Sequence, residues 1–114
     1  MAFLNKVSPL LLSSIDSATF TGSYQLLSAS TGLDNAATIL EIVNNSNRGV
    51  TVSFDGVNDH AFVRAATDRQ WQFQTNSQQQ NRSSVMPKGQ LVYVKAAAGA
   101  GLVYLSGFYN QTNG

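Results

Sequence analysis

The chain predicts an all-β fold: a single β-sandwich or jelly-roll-like barrel of about eight short strands, with an N-terminal arm. Three observations predict it. Apolar side chains recur with period two, most clearly in residues 50–74, VTVSFDGVNDHAFVRAATDRQWQFQ. Successive side chains of a strand point to opposite faces, so this period belongs to strands and not to helices. Turn-forming clusters of Gly, Asn, Asp and Ser cut the apolar runs at intervals of roughly eight to twelve residues. The runs themselves are rich in β-branched and aromatic residues, which suit a pleated surface.

Residues 1–16, MAFLNKVSPLLLSSID, are expected to form the arm. Phe3, Leu4, Val7, Leu10, Leu11 and Leu12 are its apolar positions, and Pro9 interrupts any helix. The stretch makes a poor secretion signal, because the apolar run after Lys6 is short and broken by Pro9 and serines. The preferred reading is an arm that docks on a neighbouring subunit. The competing reading is an arm that folds onto its own domain or stays disordered. Residues 17–110 form the β domain, in which Thr19–Thr21 and Tyr24–Leu27 are expected as short strands around Gly22. TGLDN is a turn. Ala37–Asn44 is the most continuous apolar run, expected to be buried on both faces; it reads as a central strand or one or two helical turns, and its β-branched content and the turn NNSNRG that follows favour the strand.

In the middle of the chain, Val50, Val52 and Phe54 share one face, with Thr51 and Ser53 on the other. Ala61 and Val63 alternate with His60, Phe62 and Arg64. Trp71 and Phe73 alternate with glutamines. The expectation is an antiparallel meander with one apolar and one polar face. Thr75–Lys88 is the longest polar stretch, and loops of that length tend to be functional or mobile. Gln90–Lys95 is a strand, AAAGAG a turn in which Gly99 and Gly101 supply backbone freedom, and Gly101–Tyr109 the last strand. There Leu102, Tyr104 and Phe108 lie on one face and Val103, Leu105 and Tyr109 on the other. A strand apolar on both faces is expected to be covered twice, by the core and by a partner. Residues 111–114 are a polar tail expected to fray.

Composition narrows the function classes. The 114 residues suffice for one domain with one core. Charged residues are 11%, less than half the usual share of about 25%. A neutral polar surface is weakly repelled from other protein surfaces, which suits a subunit of an assembly. The net charge is +1 and the basic residues are scattered singly, so no nucleic-acid partner is expected. No apolar run has the length of a membrane span, so no membrane partner is expected. Without cysteine, disulfides and Cys-based metal sites are excluded.

No catalytic, cofactor or metal constellation emerges. His60 is the single histidine, and no nucleophile or orienting acid can be placed beside it from sequence. Asp55, Asn58 and Asp59 could offer oxygens to calcium, but their spacing is not that of a calcium loop, and Asp and Asn with Gly are what a hairpin connection needs. The acids Asp16, Asp34, Glu41, Asp55, Asp59 and Asp68 form no evident pair for glycoside hydrolysis. Trp71, Phe73, Tyr93, Tyr104, Phe108 and Tyr109 could build a ligand platform, although such residues are more often core or interface. Asn44, Asn81 and Asn110 each begin an N-x-S/T triplet, which matters only for a chain secreted by a eukaryote.

The pattern N-N-x-x-x-x-V-T-V-S-F-D-G-V-N-D-H at Asn44–His60 resembles the small β-sandwich structural proteins of tailed bacteriophages. So does L-V-Y-V-K-A-x-A-G-x-G-x-V-Y-L-S-G-F-Y at Leu91–Tyr109, and the likeness spans roughly Ala37–Tyr109. It implies a non-enzymatic virion protein made in the bacterial cytoplasm. Capsid cement or decoration proteins, which clamp neighbouring major capsid subunits from outside, are the first expectation. A neck or tail component is the alternative, and a lectin-like ligand-binding sandwich is the second alternative. The partners so implied are the major capsid protein and further copies of the chain, as dimer or trimer. Expected contact residues are Phe3, Leu4, Val7, Leu10, Leu11 and Leu12 of the arm, Gln78 and Arg82 of the polar loop, and Tyr104, Phe108 and Tyr109 of the last strand.

Overall fold

The computed structural model describes residues 4–73 and 86–113, with side chains described for residues 8–73 and 86–109. Among these residues nine strands form two antiparallel sheets. They are β1 (Leu4–Pro9), β2 (Ser13–Asp16), β3 (Gln25–Leu26), β4 (Ile39–Asn44), β5 (Val50–Ser53), β6 (Ala61–Val63), β7 (Thr67–Gln72), β8 (Tyr93–Lys95) and β9 (Leu102–Asn113). The first sheet runs β1-β9-β4-β7, with β2 pairing β9 beyond the end of β1; the second runs β3-β8-β5-β6. Two separate sheets packed face to face make the fold a β-sandwich, the first of the two expected architectures.

Alternation decides what each sheet buries. Leu40 and Ile42 of β4 and Val103 and Leu105 of β9 point inward from the first sheet. Val50, Val52, Val63 and Val94 meet them from the second. Phe20, Leu27 and Leu33 belong to the same core. Each such side chain contributes about 1.5–3 kcal/mol relative to exposure. Val50 and Val52 are buried as expected and Phe54 packs half-buried against the core; Ser53, expected on the polar face, is also buried, under its own loop.

The expected meander is split. β5 and β6 form a hairpin with Val52 opposite Ala61. β7 then leaves that sheet and pairs β4 from Ile39↔Gln72 to Asn44↔Thr67. The change of sheet occurs at Ala66, which has a φ of 59°, a left-handed conformation that bends the chain sharply. The strand expected at Thr19–Thr21 is instead a 3₁₀ turn over Ser17–Thr19, because the Asp16 carboxylate caps it by accepting from the Ala18 N–H.

The segments expected as arm and frayed tail pair with each other. β1 lies antiparallel to the end of β9, from Leu4↔Asn113 to Pro9↔Phe108. β2 pairs the start of β9, from Ser13↔Leu105 to Asp16↔Leu102. Residues 4–16 therefore fold onto their own domain. Between β1 and β2, Leu10, Leu11 and Leu12 stand opposite only Ser106 and Gly107, a bulge of three residues against two. The Leu10 N–H donates to the Gly107 carbonyl at 2.9 Å, and the Leu10 side chain turns into the core. Gly107 makes room for it: a Cβ there would lie 2.6 Å from the Ile39 carbonyl oxygen and 2.9 Å from Leu10 Cδ1.

Candidate interaction face

The outward positions of the first sheet follow from its register. In one row across the sheet stand Gln72, Ile39, Phe108 and Pro9; in the next come Gln70, Glu41 and Ser106; then Asp68, Val43, Tyr104 and Ser14; and last Leu102 with Asp16. Ile39, Val43, Tyr104, Phe108 and Leu102 thus form an apolar band over β4 and β9. Among the described residues no element covers it: Phe108 is 41% and Leu102 37% exposed, and Ile39, Val43 and Tyr104 are half-buried. The bulge sits on the edge of the same sheet between the Tyr104 and Phe108 rows. It presents Leu11 at 78% and Leu12 at 63% exposure. The polar row of Gln70, Glu41 and Ser106 divides the band into two apolar groups on one face of the sheet.

Glu41 lies in the middle of the band. A hydrogen bond with the Asp68 side chain, burial on the sheet and the negative charge of Asp68 raise its carboxyl above the usual carboxylate range.

Beside the bulge, Leu10, Leu11, Ser28, Leu33, Leu105 and Ser106 are among the residues lining a cleft of about 120 Å³. Ser13, Thr31 and Asp34 also line it.

The second sheet presents a different outer surface, knitted by polar contacts. Tyr24 donates its hydroxyl to Asp59, and Lys95 Nζ lies 3.0 Å from the same carboxylate. That ammonium also sits 4.6 Å from the Tyr24 ring centre. Hydrogen bonds from Tyr24 and Lys95 hold the Asp59 carboxyl below its usual range. Tyr93 meets Tyr24 edge-on at 6.5 Å.

The DGVND segment is a self-capped turn. Asp55 Oδ1 accepts from the Val57 and Asn58 N–H groups, both at 2.8 Å, and from Ser53 Oγ at 2.9 Å; Oδ2 accepts from Asn58 Nδ2 at 2.8 Å. These donors hold the Asp55 carboxyl far below the usual carboxylate range. His60 Nδ1 accepts from the Phe54 N–H at 2.9 Å, and its ring stacks on Phe54. Among the described residues no group of three His, Cys, Asp or Glu side chains gathers as a metal site.

The expected contact residues separate as follows. Tyr104 and Phe108 lie on the exposed band, and Leu11 and Leu12 at its edge. Leu10 is core, 8% exposed, and Tyr109 packs half-buried against that core. Phe3, Gln78 and Arg82 lie outside the described residues, as do most of the Thr75–Lys88 loop and the side chains of Leu4 and Val7. The six aromatics considered as a platform do not converge. Trp71, Phe73 and Tyr109 pack on the core, Tyr93 lies on the second sheet, and Tyr104 and Phe108 lie on the outward face of the first sheet.

Sequence reasoning missed Asn44. It is fully buried and binds the end of β4 to the second sheet. Its Nδ2 donates to the carbonyls of Arg48, Val63 and Arg64, and its Oδ1 accepts from Ser46 N–H and Oγ. Its burial also removes the first N-x-S/T triplet as a glycan acceptor. The available signal was an asparagine ending an apolar strand just before a turn rich in polar residues. No family model, no curated protein and no solved structure matches the chain.

Proposed function

We propose that this protein is a non-enzymatic structural subunit of a bacteriophage virion, a capsid cement or decoration protein that bridges major capsid subunits on the outside of the head. The observation that carries the reading is the uncovered apolar band of the first sheet, Ile39, Val43, Leu102, Tyr104 and Phe108, with Leu11 and Leu12 at its edge. The virion assignment itself comes from the sequence patterns at Asn44–His60 and Leu91–Tyr109. A cement protein requires no active site. It requires apolar and hydrogen-bonding surface offered to two or more shell subunits, and a standard interface takes about 800 Å² from each partner. Repeated around a shell, many modest contacts resist internal pressure together. The low charge of the chain supports such an association.

The test is the copy number of the chain in purified particles of the phage that encodes it, by quantitative mass spectrometry against the major capsid protein. Hundreds of copies in simple ratio to the capsid subunit are expected. About a dozen or fewer would move the protein to the neck or tail, and absence would sink the virion reading. A variant combining Leu12→Ser and Phe108→Ser should fold and fail to bind particles; undiminished binding would clear the band of the role.

A further inference from the structure

Among the described residues, the two sheets end at β1 and β2, β3, β6 and β7. Most of these edges are blunted in ways that discourage pairing with another chain. β3 has two residues and β6 three. β1 and β2 are parted by the leucine bulge, and β1 contains Lys6 and ends at Pro9. β7 differs. It has six residues, TDRQWQ, no proline and an unbroken register with β4, and all but Trp71 are exposed.

The backbone groups of β7 that β4 does not use can be assigned. The Asn45 N–H donates to Leu102 O on β9, so odd-numbered residues at this end of β4 address β9 and even-numbered ones address β7. Through the register of Leu40 with Trp71 and Ile42 with Arg69, Thr67, Arg69 and Trp71 bond to β4. Asp68, Gln70 and Gln72 then aim N–H and C=O at the open edge.

We propose that β7 pairs antiparallel with β7 of a second copy, about a twofold axis at Gln70, joining the first sheets of two sandwiches into one continuous sheet. A twofold axis perpendicular to the sheet is the symmetry that closes such a pair. Charge selects the register. An axis at Asp68 would oppose two aspartates, and one at Arg69 two arginines, both unfavourable. An axis at Trp71 would pair only Gln70 and Gln72 within the strand. The axis at Gln70 lets Asp68, Gln70 and Gln72 all exchange hydrogen bonds, about six between the chains. It also sets Arg69 across from the second copy's Trp71. Within one chain the Arg69 guanidinium already lies 5.4 Å from the Trp71 ring centre, so the cation would stand between two indoles. The apolar bands of both copies would then face the same side. The pairing depends on this edge and not on the virion reading, and either can fail alone.

The chain has no cysteine, so single-cysteine variants test the register directly. In the proposed dimer the two residue-70 Cα atoms lie about 5.5 Å apart, within disulfide reach. Gln70→Cys should oxidise to a covalent dimer. Asp68→Cys and Gln72→Cys should not do so alone, since each would be four residues from its own copy, roughly 13 Å away, but the two mixed should cross-link. The unmodified protein at roughly 100 μM, suited to a small interface, should sediment with twice its 12.2 kDa mass. Gln70→Pro removes an edge N–H that β4 does not use and should return it to monomer. A monomer at that concentration, or a dimer in which Gln70→Cys links no better than Asp68→Cys, would overturn the proposal.

Discussion

Replacing Asn44 tests whether a single buried amide locks the two sheets together at one end. Asn44→Ala strips the donor from the Arg48, Val63 and Arg64 carbonyls and the acceptor from Ser46. Each buried polar group left unpaired costs about 1–3 kcal/mol. The Ser46 hydroxyl already reaches the Arg48 carbonyl at 2.9 Å, so part of the loss is recovered, and a net destabilisation of about 3–5 kcal/mol is expected. That is a large fraction of the roughly 6–17 kcal/mol available to a domain of this size. Urea titration followed by the fluorescence of Trp71, the single tryptophan, should show the midpoint fall by about 2–3 M. Asn44→Asp sharpens the test. It keeps the volume and the bonds from Ser46 but turns a carboxylate toward three carbonyl oxygens. The folded state should therefore hold the introduced carboxyl protonated, with its pKa above the unfolded value of about 3.9. The variant's stability should be best below about pH 4 and should fall by about 1.4 kcal/mol per pH unit above that, until the folded pKa is passed. A loss under about 1 kcal/mol for the alanine variant, or a deficit of the aspartate variant that does not change with pH, would refute the reasoning.

Gly107→Ala should cost about 1–3 kcal/mol by overpacking, because its methyl would collide with the Ile39 carbonyl and displace Leu10; an unchanged melting temperature would contradict the packing described for the bulge. Ala66→Gly should raise stability by about 0.5–1 kcal/mol, since φ is 59° there and glycine adopts that conformation without strain; differential scanning calorimetry decides the sign. Glu41→Gln should stabilise the protein near neutral pH. The raised Glu41 carboxyl favours the fold at low pH and loses that advantage as pH rises through its folded pKa. The gain should therefore shrink below about pH 4, and a gain equal at all pH values would show that Asp68 is not its cause.

Much of this architecture was legible locally. The two faces of β5 and β9 follow from alternation alone, because a strand's side chains reverse with each residue whatever the strand pairs with; β4, whose continuous apolar run suggested burial on both faces, buries only Leu40, Ile42 and Asn44. The DGVND turn was legible too, since Asp and Asn stabilise a reversal through bonds to their own neighbouring backbone. So was the apolar character of both faces of β9, of which Val103 and Leu105 are core and Leu102 and Phe108 are exposed. The 3₁₀ turn could have been read from Asp16, which caps it, but period two alone suggested a strand.

What escaped the sequence was set by partners far along the chain. Nothing near Thr67–Gln72 says that it pairs β4 rather than β6; that choice depends on which sheet edge lies within reach after the left-handed turn at Ala66. Leu10, Leu11 and Leu12 are indistinguishable as a run of leucines. They separate into one core and two surface residues only because Gly107, far along the chain, leaves a space for one side chain. Local pattern was enough for the class of fold, the strands of the core and the face each buries, because these depend on period and turn chemistry within a few residues. The folded chain was needed to show that residues 4–16 pair along the edge of the first sheet, that Asn44 ties the sheets together and that β7 ends that sheet among the described residues, because these depend on which distant backbone meets which.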